Sequence, residues 1–168
     1  MDCAKYDSPY VLLLEDDAAT RQLVKDILEE EVGIAVLKAA DGITALRMLA
    51  DARRSPALLV VDLMLPNMDG ETFMAEVRRL YGPDLPVIVM SAMDPTVVRS
   101  SAECIGARGV VLKPFTLEDF VAEVTDALQL EGKLPSRQAI VDLDDARRLR
   151  IARRHDRSPE CSSARNSN

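Results

Sequence analysis

The sequence predicts an α/β fold, a five-stranded doubly wound parallel sheet in which a strand–helix unit recurs five times. Short apolar runs at residues 11–14, 57–61, 87–90 and 110–112 each end in a reactive polar side chain: Glu15 with Asp16, then Asp62, Ser91 and Lys113. Between the runs lie stretches with the 3.6-residue periodicity of amphipathic helices. Runs so short and so apolar read as parallel strands covered on both faces. A (β/α)8 barrel needs a much longer chain than these 168 residues.

The first strand, residues 11–14, passes through Glu-Asp-Asp into a helix with Leu23, Val24, Ile27 and Leu28 on its apolar face and Asp17 at its N-cap. A second strand at residues 34–39 precedes a helix carrying Ile43, Leu46 and Leu49. The third strand, the most apolar, ends at Asp62 and leads to a helix with Phe73, Met74, Val77 and Leu80. After the fourth strand, Asp94 and Pro95 suit an N-cap and first helical position, and Val97, Val98, Ala102 and Ile105 form the next face. Beyond the fifth strand, Thr116 and Asp119 resemble a capping box opening a helix with Leu117, Phe120, Val121, Val124 and Leu128. This assigns residues 1–8 to a flexible N-terminus, 9–130 to one domain, and 131–168 to a linker and Arg-rich tail. Within the tail, residues 142–155 could form a short helix with Leu143, Ala146, Leu149 and Ala152 as a narrow stripe, and the last stretch reads as disordered.

Composition narrows the function. The chain is 48% hydrophobic but only 4% aromatic, with no Trp, so the core rests on aliphatic side chains and a base-stacking surface is disfavoured. Formal charge is −7, unevenly spread: residues 1–135 hold 13 basic and 23 acidic side chains, a balance of −10, and residues 136–168 hold 8 and 5, a balance of +3. An acidic main domain disfavours nucleic acid. No run approaches a membrane span and the N-terminus lacks a signal-peptide layout, so a cytoplasmic protein is expected. Cys3, Cys104 and Cys161 have no metal-ligand spacing and read as reduced thiols. His155, set among arginines, reads as a solvated tail residue rather than a phosphocarrier.

If the runs are parallel strands, their C-terminal ends share one sheet edge, where open α/β sheets bind ligands. Glu15, Asp16 and Asp62 would then converge with Ser91 and Lys113. Consecutive acids at a buried strand end repel one another in low dielectric and call for a cation. Their hard oxygens suit Mg²⁺, which keeps waters and accepts phosphate oxygens. The hydroxyl can donate to a phosphoryl oxygen, and the ammonium supplies a compact positive charge. Each residue also has a plainer role. Asp62 could close an Asx turn, Ser91 could start a capping turn, and Lys113 could pair with a carboxylate.

At these positions the chain resembles the response-regulator receiver domains of two-component signalling, a flavodoxin-like fold of the chemotaxis-regulator type. The motifs are Leu-Leu-Leu-Glu-Asp-Asp at 12–17, Asp62-x3-Pro66-x3-Gly70, Ser91-Ala92, Gly106-Ala107 and Lys113-Pro114-Phe115, within about residues 9–130. The resemblance implies Asp62 as phosphoacceptor and Mg²⁺ held by Glu15, Asp16, Asp62 and the Met64 backbone carbonyl. It also implies that Ser91 senses the phosphoryl group, that Lys113 pairs with it, and that the Lys113–Pro114 bond is cis. The implied donor is a sensor histidine kinase or a histidine phosphotransfer protein, and the output partner is not specified. Two positions depart from the family pattern: Val110 stands where the switch aromatic is usual, and Ala107-Arg108-Gly109 lacks the acidic pair of the winged-helix branch. Met64 and Met93, each two residues past a phosphate-handling group, cannot orient a water, so slow self-dephosphorylation is expected.

The resulting expectation is a phosphorylation-controlled switch, monomeric or weakly dimeric, acting through protein contacts and not a turnover enzyme. The alternatives are a DNA-binding or transcription regulator working through the basic tail, and a phosphorelay intermediate. The tail is too short for a winged helix. A phosphohydrolase with an aspartyl nucleophile would want an acid at position 64, where methionine stands.

Overall fold

A computed structural model describes residues 9–65 and 68–129 of the chain. The predicted tail with its 142–155 helix, residues 1–8, Pro66, Cys3, Cys161 and His155 lie outside the described residues.

Five strands, β1 (Tyr10–Leu14), β2 (Ala35–Ala39), β3 (Leu58–Asp62), β4 (Val87–Ser91) and β5 (Gly109–Leu112), form one parallel sheet in the order β2-β1-β3-β4-β5. They alternate with α1 (Ala18–Ile27), α2 (Gly42–Asp51), α3 (Gly70–Tyr81), α4 (Pro95–Ile105) and α5 (Leu117–Gln129). The doubly wound sheet read from the sequence is therefore present, with strand ends shifted by a residue or so. Ile34, expected in the second strand, precedes β2; its N–H and that of Gly33 both donate to Leu28 O, the Gly33 bond closing a π-helical turn at Leu28–Val32 that periodicity did not foreshadow.

Every residue of β1, β3 and β4 is buried, as expected of strands covered on both faces. Their side chains divide by parity. Val11, Leu13, Leu58, Val60, Ile88, Met90 and Val111 pack with Val24, Phe120 and Val124, the layer of α1 and α5. Tyr10, Leu12, Leu14, Leu59, Val61 and Val87 pack with Leu49, Phe73 and Val77, the layer of α2 and α3. Each fully buried aliphatic contributes about 1.5–3 kcal/mol relative to exposure.

The helices bury narrower faces than their periodicity suggested. Val24, Leu28, Leu49, Phe73, Met74, Val77, Val98, Ala102, Phe120, Val124 and Leu128 are buried, but Leu23, Ile43, Leu80, Val97 and Leu117 are exposed. A helix lying on a sheet covers only the stripe in contact, so apolar residues at its flank stay wet. In α2 the small Gly42 and Ala45 take the buried positions that Ile43 does not. Asp17 and Asp94, the N-caps expected from the sequence, accept an N–H from the first turn of α1 and α4, and Thr116 Oγ1 accepts from Asp119 N at 3.1 Å ahead of α5; Asp41 and Asp69 cap α2 and α3 in the same way, which the sequence reading did not include.

Arg78, near the end of α3, fastens the bottom of the sheet. Its guanidinium donates to Ile105 O at 3.2 Å, Gly106 O at 3.0 Å, Pro83 O at 2.8 Å and Leu85 O at 2.7 Å. One side chain thus satisfies carbonyls from the α3–β4 loop and from the end of α4, groups that a helix terminus leaves without partners. Replacing Arg78 with Met removes all of these donors and is expected to lower stability by about 2–3 kcal/mol in urea unfolding. Lysine, whose ammonium cannot span the same fork, should restore less than half of the loss.

Candidate functional site

The site lies at the C-terminal edge of the sheet. The chain runs from β1 outward to β2 and then returns to the other side of β1 to make β3, so the β1 and β3 ends flank the reversal of winding where such sheets bind ligands. Glu15 and Asp16 follow β1, Asp62 is the last residue of β3, Ser91 the last of β4, and Lys113 follows β5.

Lys113 Nζ donates to Glu15 Oε2 at 2.6 Å and to Asp62 Oδ2 at 2.5 Å. Residues 98 and 51 positions apart in sequence are thereby joined through one ammonium. The other oxygens are also engaged: Asp62 Oδ1 accepts the Met64 N–H at 2.8 Å, and Glu15 Oε1 accepts the Asp17 N–H at 3.3 Å. Asp62 therefore closes the Asx turn of the plainer reading while also facing the lysine. Glu15 and Asp62 are buried and Asp16 is exposed, yet all three offer an oxygen within 4.8 Å of the others. The cluster is all oxygen, without nitrogen or sulfur donors, and so fits a hard divalent cation such as Mg²⁺.

Burial pushes the Glu15 carboxyl above the usual carboxylate range, and the hydrogen bond and charge of Lys113 only partly offset this. At Lys113, burial also works against the charge, but the bonds and attraction of Asp62 and Glu15 together prevail and raise the ammonium above the usual lysine value. Two carboxylates act on the one cation, whereas Glu15 has a single cation to set against its burial and against the repulsion of Asp62. Asp17 takes no part in the cluster. Its exposed carboxylate accepts from Thr20 N at 2.7 Å, which lowers its pKa and fits the N-cap role.

Parity explains which predicted residues meet. Glu15, Asp62 and Lys113 are in phase with Leu13, Val60 and Val111, all in the layer of α1 and α5. Ser91 is in phase with Val87 and Val89, which pack in the α2–α3 layer and beside α4 respectively. It shares the edge, and its carbonyl accepts the Lys113 N–H at 2.8 Å, but its buried hydroxyl accepts the Met93 N–H at 3.2 Å. The Lys113–Pro114 peptide is cis, as expected.

Two contributors, Arg21 and Glu123, carry no signal in the sequence reading, and Gly70 enters it only as the end of the Asp62-x3-Pro66-x3-Gly70 motif. Arg21 donates through Nη1 to the carbonyls of Glu15 at 2.6 Å and Asp16 at 2.8 Å, holding the acidic turn from the first helix. Gly70 starts α3 against the end of β3, where a Cβ would lie 2.8 Å from both Asp62 O and Leu63 Cα, so only glycine lets the helix approach. Glu123 of α5 accepts the Val110 N–H at 3.2 Å, covering an amide on the outer edge of β5, and a Cβ at Gly109 would strike its carboxylate. Val110 is half-buried and lines an open groove of about 380 Å³ with Arg99, Ala102 and Glu123. Arg21 and Glu123 left no spacing signal, since their partners are backbone groups whose approach depends on tertiary packing.

Replacing Lys113 with Met leaves Glu15 facing Asp62 without a counter-ion. The metal-free protein should lose about 2–4 kcal/mol at pH 7, a range for one-sided removal of a buried pair reduced here for partial exposure. With the lysine gone, the Glu15 pKa rises further, and a folded-state pKa above the unfolded value adds stability as pH falls through it. The deficit should therefore shrink from pH 7 toward pH 5 in denaturant unfolding of the variant against the parent.

Comparison with known proteins agrees with this geometry. Residues 11–125 match the family model for the response regulator receiver domain. The chain is 35% identical over 119 residues to response regulator MprA of Mycobacterium ulcerans, covering 71% of this chain and 50% of that protein. It thus spans about half the length of the curated relatives it matches. Among solved structures it is similar to the receiver domain of NtrX from Brucella abortus, at 30% identity and a TM-score of 0.65 over 71% of this chain and 98% of that one. It is also similar to chemotaxis response regulator CheY4 of Vibrio cholerae, at 27% identity and a TM-score of 0.65 over 72% and 99%. With its sheet order, acidic edge and bridging lysine all falling within the matched residues, the chain belongs to the response regulator receiver domain family.

Proposed function

We propose that the domain is a phosphorylation-controlled switch whose phosphoacceptor is Asp62. The observation that carries this reading is the Lys113 ammonium set between Asp62 and Glu15 at the sheet edge, with Asp16 close by. A carboxylate there has a nearby cation to meet incoming negative charge, and the two flanking acids give a place for a divalent ion.

Glu15, Asp16, Asp62 and the backbone carbonyl of Met64 would hold Mg²⁺. When bound, it supplies positive charge against the oxygens of the transferring group. An Asp62 carboxylate oxygen attacks phosphorus in a phosphohistidine donor, an O–P bond forms, and the N–P bond breaks with its electrons left on the imidazole. Lys113 then shifts from the free carboxylates to the new phosphoryl group, which carries about −1.5 to −2 charge. Ser91, whose hydroxyl accepts the Met93 amide N–H, turns to donate to a phosphoryl oxygen. This is phosphoryl transfer by positioning and electrostatics.

The donor class is a sensor histidine kinase or a histidine phosphotransfer protein, and the site of action is the cytoplasm. Output runs through protein contacts. Val110 carries no ring to rotate, so the signal passes through the loop after Ser91 and the start of α4. Met64 and Met93 are exposed and follow Asp62 and Ser91 by two residues, and a thioether cannot activate a water, which favours a long-lived aspartyl phosphate.

Incubating the full chain with acetyl phosphate and Mg²⁺ should add one base-labile phosphate by intact mass. The Asp62→Asn variant should add none, and omission of Mg²⁺ should reduce incorporation at least about tenfold, in line with loss of several kcal/mol of charge stabilisation. A folded parent that takes up no phosphate would overturn the reading.

A further inference from the structure

The methionines of this domain fall into two sets. Met74 and Met90 are fully buried, and Met48 and Met68 are half-buried and packed against the core. Met64 and Met93 are exposed, at 57% and 36%, and are the exposed methionines among the described residues. Isolated apolar residues on a surface need no explanation. These two, however, occupy equivalent places: the Met64 N–H is bonded to the Asp62 carboxylate, and the Met93 N–H to the Ser91 hydroxyl. The main chain of each methionine is thus anchored at one of the two groups proposed to handle the phosphate.

A thioether is apolar and a weak acceptor, but it is readily oxidised by two electrons when exposed. With a peroxide, the sulfur gains one oxygen, the O–O bond breaks and water leaves. The product sulfoxide is polar and a strong acceptor. At the rim of the site it would do what the thioether cannot, which is to hold a water by hydrogen bonding within reach of an aspartyl phosphate. Reduction by a methionine sulfoxide reductase returns the apolar rim.

We propose that Met64 and Met93 are sites of reversible oxidation by peroxides, and that their sulfoxides shorten the life of the phosphate on Asp62. The inference rests on the reading of Asp62 as phosphoacceptor. It adds a chemical input, oxidant, at the same site that receives the phosphoryl signal.

The test uses the full chain treated with limiting hydrogen peroxide. Peptide mapping should find sulfoxide first at Met64 and Met93, with Met74 and Met90 spared. Reduced and oxidised samples are then phosphorylated with acetyl phosphate and Mg²⁺, the donor is removed, and the decay is followed. Oxidation should speed decay by roughly three- to tenfold, the value of about one added hydrogen bond, and reductase treatment should reverse it. The double variant Met64→Leu, Met93→Leu sets its own baseline, and its decay should be the same before and after peroxide. Sulfoxide forming first at Met48, Met68, Met74 or Met90, or an unchanged decay in the oxidised parent, overturns the proposal. So does an equal acceleration in the double variant, which would implicate another oxidisable side chain such as one of the three cysteines. Absence of any phosphate on the reduced parent is a separate outcome and removes the Asp62 reading together with the inference built on it.

Discussion

The ammonium of Lys113 between Glu15 and Asp62 is the constraint on which the rest of the sheet edge depends. Two buried carboxylates on neighbouring strands repel each other in a medium of low dielectric, and the fold tolerates them because one cation satisfies both. The lysine reaches them from the far side of the sheet, since β5 is separated from β3 by β4. The strands must therefore hold their register for the charges to balance. A site arranged in this way is poised, because any incoming group that competes for the lysine changes an interaction shared by β1, β3 and β5.

Around that pair the backbone is fixed by side chains that donate to carbonyls. Arg21 secures the turn bearing Glu15 and Asp16, and Arg78 secures the opposite end, where α3 and α4 finish. The contrast between the ends of α4 follows from this. Its C-terminal carbonyls are tied to α3 by a guanidinium, whereas residues 92–97 at its start are all exposed and directly follow Ser91. The first turn of α4 thus stands in solvent next to the site, held by the Asp94 cap and by the Met93 N–H bond to Ser91.

The outer edge of β5 is closed by a side chain from α5. Glu123 covers the Val110 amide, and Gly109 gives the carboxylate room to do so. A covered edge amide is not available to pair with another strand. The open groove beside Val110 is bounded by charges of both signs from Arg99, Glu103, Arg108 and Glu123. The half-buried valine offers contact area there but no polar tip.

Fold class, strand and helix order, the caps at Asp17, Asp94 and Thr116 and the edge to which the reactive residues belong were legible in the sequence. These follow from local patterns: apolar runs of strand length, helical periodicity, and Asp or Thr ahead of the first, fourth and fifth helices. The sequence could not determine how wide a stripe each helix buries, so Leu23, Ile43, Leu80, Val97 and Leu117 were placed in the core and proved exposed. Nor did it separate Ser91 from the charged trio, although strand parity, once the sheet layers are known, puts them out of phase. Tertiary structure alone decided the roles of Arg21, Arg78 and Glu123. Their partners are backbone atoms brought near by packing, and no side-chain pattern along the chain records where a distant carbonyl or amide will be left without a partner.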